Sequence, residues 1–356
     1  MQHSSLAVAC LAVGFAVGTW WSTTTTDRKK EDSLDLKNPV NPDEHIKIIR
    51  KAYAKRAKSQ GTCCGGGVAS VETTALALGY SEKDVEEFSH TDGTNLGESC
   101  GNPLSFAKLA QGETVVDLGS GAGFDCLLAG RSVGATGQVI GVDMTPEMID
   151  RARRNVARGS KDVANVSFRL GEIEHLPVAD GSVDVFISNC VINLSKDKQQ
   201  VYQEIFRVLK PGGRIAIADV ISTHELPDRL KNATALACWV SGAVDQSTIE
   251  AILKQAGFIH IAVELKPQSK EVIKNWMPGS GAENFVVSAN IQAQKPTDKQ
   301  RMTAFLNNYV VEQERKEVEK QEHMNRNAST PEPVSVSAAV PAVANSCGTN
   351  KSDECW

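Results

Sequence analysis

The sequence predicts an α/β fold built on a doubly wound, mostly parallel seven-stranded sheet, with a helical N-terminal arm and a cysteine-bearing insertion before the sixth strand. Three observations carry that prediction. Short β-branched runs alternate with helix-period segments across residues 112–296, the pattern of parallel strands joined by crossovers. A glycine-rich turn, "DLGSGAGFD", follows the first run and opens a helix. An acid, Asp143, ends the second run twenty residues after Gly123, a spacing at which a carboxylate reaches the ribose of a bound nucleotide.

In chain order, residues 6–21, "LAVACLAVGFAVGTWW", are sixteen uncharged, mostly apolar positions ending in two tryptophans. With Arg28, Lys29 and Lys30 behind it, this run predicts an N-terminal membrane anchor over residues 1–22 that leaves the rest of the chain cytosolic. A cleaved signal is the rival, but a basic leading region and a clean small-residue cleavage site are both missing. Residues 23–44, polar and with Pro39 and Pro42, read as a linker. Residues 45–111 form the helical arm, rich in Lys and Ala, which carries "GTCCGGG" with Cys63 and Cys64 and "NLGESCGNP" with Cys100.

The strands are "TVVDLG" (114–119), "GQVIGVDM" (137–144), "VSFRLG" (166–171), "VDVFISN" (183–189), "GRIAIADV" (213–220), "IHIAVEL" (259–265) and "NFVVSANIQAQ" (284–294). The first five are linked by crossovers and the last two close the sheet. In such sheets ligands bind outside the carboxyl ends of the strands, near the switch in strand order. Residues 297–356 begin with a helix-period run (Met302, Phe305, Leu306, Tyr309, Val310) and pass through charges to an Ala/Val/Pro/Ser-rich segment at 328–345, predicted to be disordered, before Cys347 and Cys355.

Composition narrows the function. A net charge of -5 and a pI near 5.9 offer no global basic surface, which weighs against nucleic acid as the main partner and favours a small substrate. The nine cysteines are scattered, without a CxxC pair, so neither a disulfide scaffold nor a structural zinc site is predicted, and no metal cofactor is expected. His90, His175, His224 and His260 show no ligand spacing.

The glycine turn is GxGxG rather than GxGxxG: Gly119, Gly121 and Gly123, with Asp117 two residues before the first glycine and "EIEHLP" after the third strand. In this it resembles the class I S-adenosylmethionine methyltransferases and not the NAD enzymes. That resemblance implies a Rossmann-like methyltransferase sheet. It also implies that Asp143 binds the ribose, that Met144, Glu172 and Ile173 border the adenine, and that Asp117 with Gly119, Ser120, Gly121 and Gly123 holds the methionine end, with Asn189 nearby.

Cys190 lies in "ISNCVINL", directly after the fourth strand and so at the same sheet edge. A lone cysteine beside a strand is ordinarily a small core residue. Its context differs, for "SNCVINLSKDKQQV", "LGEIEHLPVADGSVDV" and "VIGVDMTPEMIDRAR" together closely resemble the arsenite S-adenosylmethionine methyltransferases over about residues 45–296. The resemblance implies that Cys100, Cys190 and Cys238 ligate trivalent arsenic, a soft ion that prefers thiolates. It further implies a redox role for Cys63 or Cys64, with Cys100 as the candidate disulfide partner of one of them. Arsenite and methylarsenite, as thiol conjugates, would be the substrates, and glutathione or thioredoxin the reductant. One departure is Ser99, where the family commonly has glycine before the cysteine.

The other thiols have plainer readings: Cys126 is core, Cys10 belongs to the apolar N-terminus, and Cys347 and Cys355 either capture arsenic or are idle. Two alternatives stay open at the level of sequence. A carbon methyltransferase acting on a quinone or sterol-like lipid would suit the sheet and the anchor, but gives no reason for thiols at 100, 190 and 238. A non-catalytic, membrane-tethered arsenic-binding protein would leave the intact glycine turn and Asp143 unexplained.

Overall fold

A computed structural model describes residues 44–58, 71–89, 94–97, 99–158 and 163–328. The expected anchor at 6–21, the linker up to residue 43, Cys63, Cys64, Cys347 and Cys355 lie outside the described residues. Among the described residues no helix is long and apolar enough to cross a membrane.

The β-branched runs pair into one seven-stranded sheet: β1 (Thr114–Leu118), β2 (Gln138–Asp143), β3 (Val166–Leu170), β4 (Val183–Asn189), β5 (Leu209–Ser222), β6 (Ile259–Lys266) and β7 (Val286–Gln294). Their spatial order is β3-β2-β1-β4-β5-β7-β6. The first five run parallel, and β7 is antiparallel to both β5 and β6. Each strand edge falls within a few residues of the sequence expectation, except that β5 begins earlier, at Leu209.

Alternation along the central strands divides the core between two faces, because successive side chains point to opposite sides of a strand. Val115, Val185 and Ile187 join one apolar cluster with Leu127 and Val133. Val116, Leu118 and Phe186 join another with Tyr202, Ile205 and Leu253. Helices cover both faces, as parallel strands require.

The arm comprises α1 (His45–Lys58), α2 (Val71–Ala77), α3 (Glu82–Ser89) and α4 (Leu104–Ala107). The sheet helices are α5 (Phe124–Val133), α6 (Pro146–Arg158), α7 (Lys198–Val208), α8 (Ala233–Ala237), α9 (Gln246–Ala256) and α10 (Lys270–Trp276). Capping follows the sequence: Asp197 accepts the Gln200 N–H at the start of α7, Asp245 accepts the Thr248 N–H at the start of α9, and Gly257 ends α9 with φ 98°. Helix α1 docks through buried hydrogen bonds, Arg56 Nη2 to the Ala237 carbonyl at 3.2 Å and Arg151 Nη1 to the Ala57 carbonyl at 3.0 Å. His45 Nε2 lies 2.7 Å from the Leu194 carbonyl at its first turn. The arm is thus fastened over the carboxyl ends of the strands.

A second unit begins at Lys299. It holds most of α11 (Asp298–Ala328), a helix of 31 residues on which Met302, Phe305, Leu306, Tyr309 and Val310 are all exposed.

Candidate active site

The glycine turn after β1 is shaped by contacts that only glycine permits. Gly119 has φ 68°, and a Cβ there would sit 2.3 Å from Val191 Cγ2, in the loop leaving β4. Gly121, at φ 51°, donates its N–H to Asp143 Oδ2 at 3.0 Å, while Thr145 N–H reaches Asp143 Oδ1 at 2.8 Å. Asp143 is therefore pinned at the end of β2 beside the turn. Gly123 departs from expectation. It starts α5 with its bare Cα against Phe168 (2.8 Å from a built Cβ) and does not line the cavity, so it serves helix packing.

The cavity encloses about 1090 Å³, part of it open to solvent, between the turn, the end of β4 and helix α1. Asp117, Gly119, Ser120, Gly121, Asp143, Met144, Glu172, Ile173 and Asn189, all expected at the site, line it. Ile46, Ile49 and Tyr53 of α1 form the opposite wall. Arg50 of the same helix pairs with Glu172 at 3.2 Å. Ser120 Oγ is buried without a hydrogen-bond partner among the described residues.

Charge gives the cavity its chemical character. Among the described residues five carboxylates line it (Asp117, Asp125, Asp143, Glu172, Glu174) and no Lys, Arg or His does. Burial pushes Asp117 well above the usual carboxylate range, and the neighbouring Asp125 charge adds to the effect. Asp125 rises to about 6, again through burial, although hydrogen bonds from Tyr80 and Asn189 pull it down. Burial also raises Asp143, against the N–H groups of Thr145 and Gly121. Buried carboxylates with no protein cation opposite them call for a cationic ligand group.

The thiols meet at the end of β4. Cys190 lines the cavity in the left-handed region, φ 58°, a conformation that costs a non-glycine residue about 1 kcal/mol and recurs at functional sites. Its N–H is held by the Ala218 carbonyl of β5 at 2.8 Å. Cys100 is disulfide-bonded to Cys190, with 5.9 Å between their Cα atoms. The loop carrying Cys100 lies close against β5 because Gly101 has no side chain; a Cβ there would come within 2.7 Å of Ala218 Cβ. The two sulfurs and an Asp219 carboxylate oxygen lie within 4.8 Å of one another. Asp219 accepts the Val220 and Asn193 N–H groups, and burial raises it to about 6.

Two expectations for the thiols are revised. The partner of Cys100 is Cys190 and not Cys63 or Cys64. Cys238 is outside the close cluster of Cys100, Cys190 and Asp219. It ends α8, buried, and is itself disulfide-bonded. Its neighbour Trp239, also left-handed at φ 63°, lines the cavity and packs edge-on against Trp276 at 5.1 Å. Cys126 is core as expected, but its thiol also donates to Asp117 Oδ2 at 3.2 Å.

Residue-by-residue reading missed Asp125, Tyr80 and Asp219. Asp125 and Asp219 stand inside stretches the motifs already flagged, "GFD" and "IADV", where an acid among apolar neighbours at a strand or helix end was the available signal. Nothing in "LGYSEK" marked Tyr80.

Comparison with known proteins follows the same line. A family model described as "Methyltransferase domain" matches residues 109–257. An arsenite methyltransferase of Halobacterium salinarum is 47% identical over 288 residues, covering 77% of this chain and 73% of that protein. One from Aquipseudomonas alcaligenes is 44% identical over 166 residues, 45% of this chain and 47% of its own length. Among solved structures, an arsenic(III) S-adenosylmethionine methyltransferase from Chlamydomonas reinhardtii is 29% identical with a TM-score of 0.46, covering 65% of this chain and 75% of that one.

Proposed function

The chain belongs to the arsenite methyltransferases, and on that footing we propose that it transfers methyl groups from S-adenosylmethionine to trivalent arsenic held by its own thiols. The observation that carries this reading is Cys190: a cysteine with a left-handed backbone in the wall of a carboxylate-lined cavity, joined to a second cysteine. S-adenosylmethionine supplies an electrophilic methyl group on a sulfonium. Asp143 orients the ribose, Met144 and Ile173 flank the adenine with Glu172 at its edge, and Asp117 and Asp125 hold the ammonium. These contacts aim the methyl group at the end of β4. Helix α1 closes the opposite side and limits water.

In the reduced protein, Cys190 and Cys100 bind arsenite or methylarsenite, with Cys238 as third ligand after its own disulfide opens. Each As–S bond forms as a hydroxide leaves arsenic and a thiol loses its proton, together releasing water. The arsenic lone pair then attacks the methyl carbon, the carbon–sulfonium bond breaks, and S-adenosylhomocysteine leaves. Arsenic has formally risen to As(V). Cys100 and Cys190 return two electrons by closing their disulfide as their bonds to arsenic break; two waters then supply hydroxides to arsenic, Cys238 leaves as a thiol with one proton released, and arsenic departs as a methylated trivalent species. Cys63 or Cys64 reopens the Cys100–Cys190 disulfide by thiol exchange, freeing Cys190 and forming a disulfide with Cys100, which glutathione or thioredoxin then reduces, itself becoming the oxidised disulfide. Positioning is the chain's main contribution, worth several kcal/mol by orientation. Because every turnover starts from free thiols, the reaction belongs in a reducing compartment.

The test is incubation of the full chain with arsenite, S-adenosylmethionine and glutathione plus thioredoxin, with arsenic speciated by chromatography and mass spectrometry. Mono- and dimethylated arsenicals are expected. Unchanged arsenite with bound S-adenosylmethionine would overturn the reading.

A further inference from the structure

A buried hydrogen-bond cluster joins the cofactor side of the cavity to the loop of Cys100, and its links from Asp125 through Tyr80 and Asn189 to that loop have no part in the reaction above. Tyr80, 5% exposed and contributed by the arm, donates its hydroxyl proton to Asp125 Oδ1 at 2.7 Å. Asn189, at the end of β4, turns its amide nitrogen toward three acceptors: the Gly101 carbonyl at 2.9 Å, the Tyr80 hydroxyl at 3.1 Å and Asp125 Oδ2 at 3.3 Å. Its Oδ1 accepts the Cys100 N–H at 3.2 Å and lies 3.8 Å from the Cys100 sulfur.

An amide nitrogen has two protons, and here it faces three acceptors. One acceptor is therefore short at any moment, and Asp125 competes with the Cys100 loop for the same donor. Burial holds the Tyr80 phenol well above its ordinary range, so it stays a donor at neutral pH. A cationic group bound beside Asp125 satisfies that carboxylate from the cavity side. The two Asn189 protons are then free for Gly101 and Tyr80, which fixes the peptide on either side of Cys100.

We propose that Tyr80, acting through Asn189, is a positioning residue that couples occupancy of the cofactor cavity to the placement of Cys100, so that cofactor and trivalent arsenic bind with positive cooperativity. The inference rests on the functional reading above. Coupling of this kind is reciprocal, so arsenic must tighten cofactor binding by the same factor.

The experiment is calorimetric titration of the reduced full chain with S-adenosylhomocysteine, which cannot turn over, with and without saturating arsenite. Wild type should bind S-adenosylhomocysteine about fivefold or more tightly when arsenite is present, the lower end of ordinary allosteric coupling. In Tyr80→Phe, which keeps the ring packed 5.1 Å from Phe124, that ratio should fall below about twofold while arsenite still binds. A merely structural role for the hydroxyl would lower both affinities and leave the ratio intact. Asn189→Asp, which keeps the acceptor for Cys100 and removes both donated protons, should flatten the ratio as well. A wild-type ratio of one with both ligands bound, or an unchanged ratio in both variants, overturns the inference alone. Failure of reduced wild type to bind arsenite while S-adenosylhomocysteine binds normally overturns the functional reading, and the inference falls with it.

Discussion

Asp125→Asn should make the cofactor-free protein more stable and the enzyme worse. The carboxylate is fully buried and rises from 3.8 to about 6, so its ionised form is disfavoured in the folded state. At 1.36 kcal/mol per pH unit the gap costs about 3 kcal/mol at pH 7.5. The amide removes that cost and still accepts the Tyr80 proton. It turns one acceptor into a donor opposite Asn189, whose bond to Asp125 Oδ2 spans 3.3 Å, losing about 1 kcal/mol. The net gain is about 2 kcal/mol, or roughly 4 °C in melting temperature. Its sign with pH follows from the folded value lying above the unfolded one. The folded protein then takes up a proton that the unfolded chain does not, so wild type recovers stability as pH falls through 6 toward 4, and the advantage of the variant shrinks over that window. Melting curves from pH 4.5 to 7.5 without ligand read this directly. The same variant should bind S-adenosylmethionine about tenfold or more weakly, having lost one partner of the ammonium. A variant less stable than wild type at pH 7.5, or an advantage that does not change with pH, would refute the reasoning that burial of an unpartnered charge sets the character of the cavity.

Gly119→Ala should lose about 3 kcal/mol in denaturant unfolding, since it adds left-handed strain at φ 68° to a clash with Val191, and it should also fail to retain S-adenosylmethionine in equilibrium dialysis. Arg50→Ala should change stability by less than about 1 kcal/mol, because the Arg50 and Glu172 side chains are 46% and 40% exposed and solvent screens the pair. Chemical denaturation at low and at high salt checks this, with any difference vanishing at high salt.

The part of this molecule legible in its sequence is the part written in local patterns. The strands of the sheet announce themselves through β-branched runs, and Asp143 through its distance from the glycine turn, because both depend on neighbours along the chain. Gly123 carries a contact the motif does not state: the same glycine that marks the turn also packs closely against Phe168. Contacts made across long separations left no mark. Tyr80 is 109 residues from Asn189 and 45 from Asp125, yet the three share one hydrogen-bond cluster. Cys100 and Cys190 are 90 residues apart and joined. Which cysteine meets which is decided by how the arm lies against β4 and β5, down to the absent side chain of Gly101, and no spacing rule contains that geometry.

The central claim is that the protein's own thiols return the electrons after methyl transfer. Fully reduced protein, stripped of external reductant and mixed with arsenite and S-adenosylmethionine, should make no more than a few methyl groups per chain and then stop. Peptide mapping by mass spectrometry should show Cys100 and Cys190 passing from free thiols to a disulfide in step with product. Continued turnover without reductant, or methylated arsenic formed while Cys100 and Cys190 stay free, would contradict it.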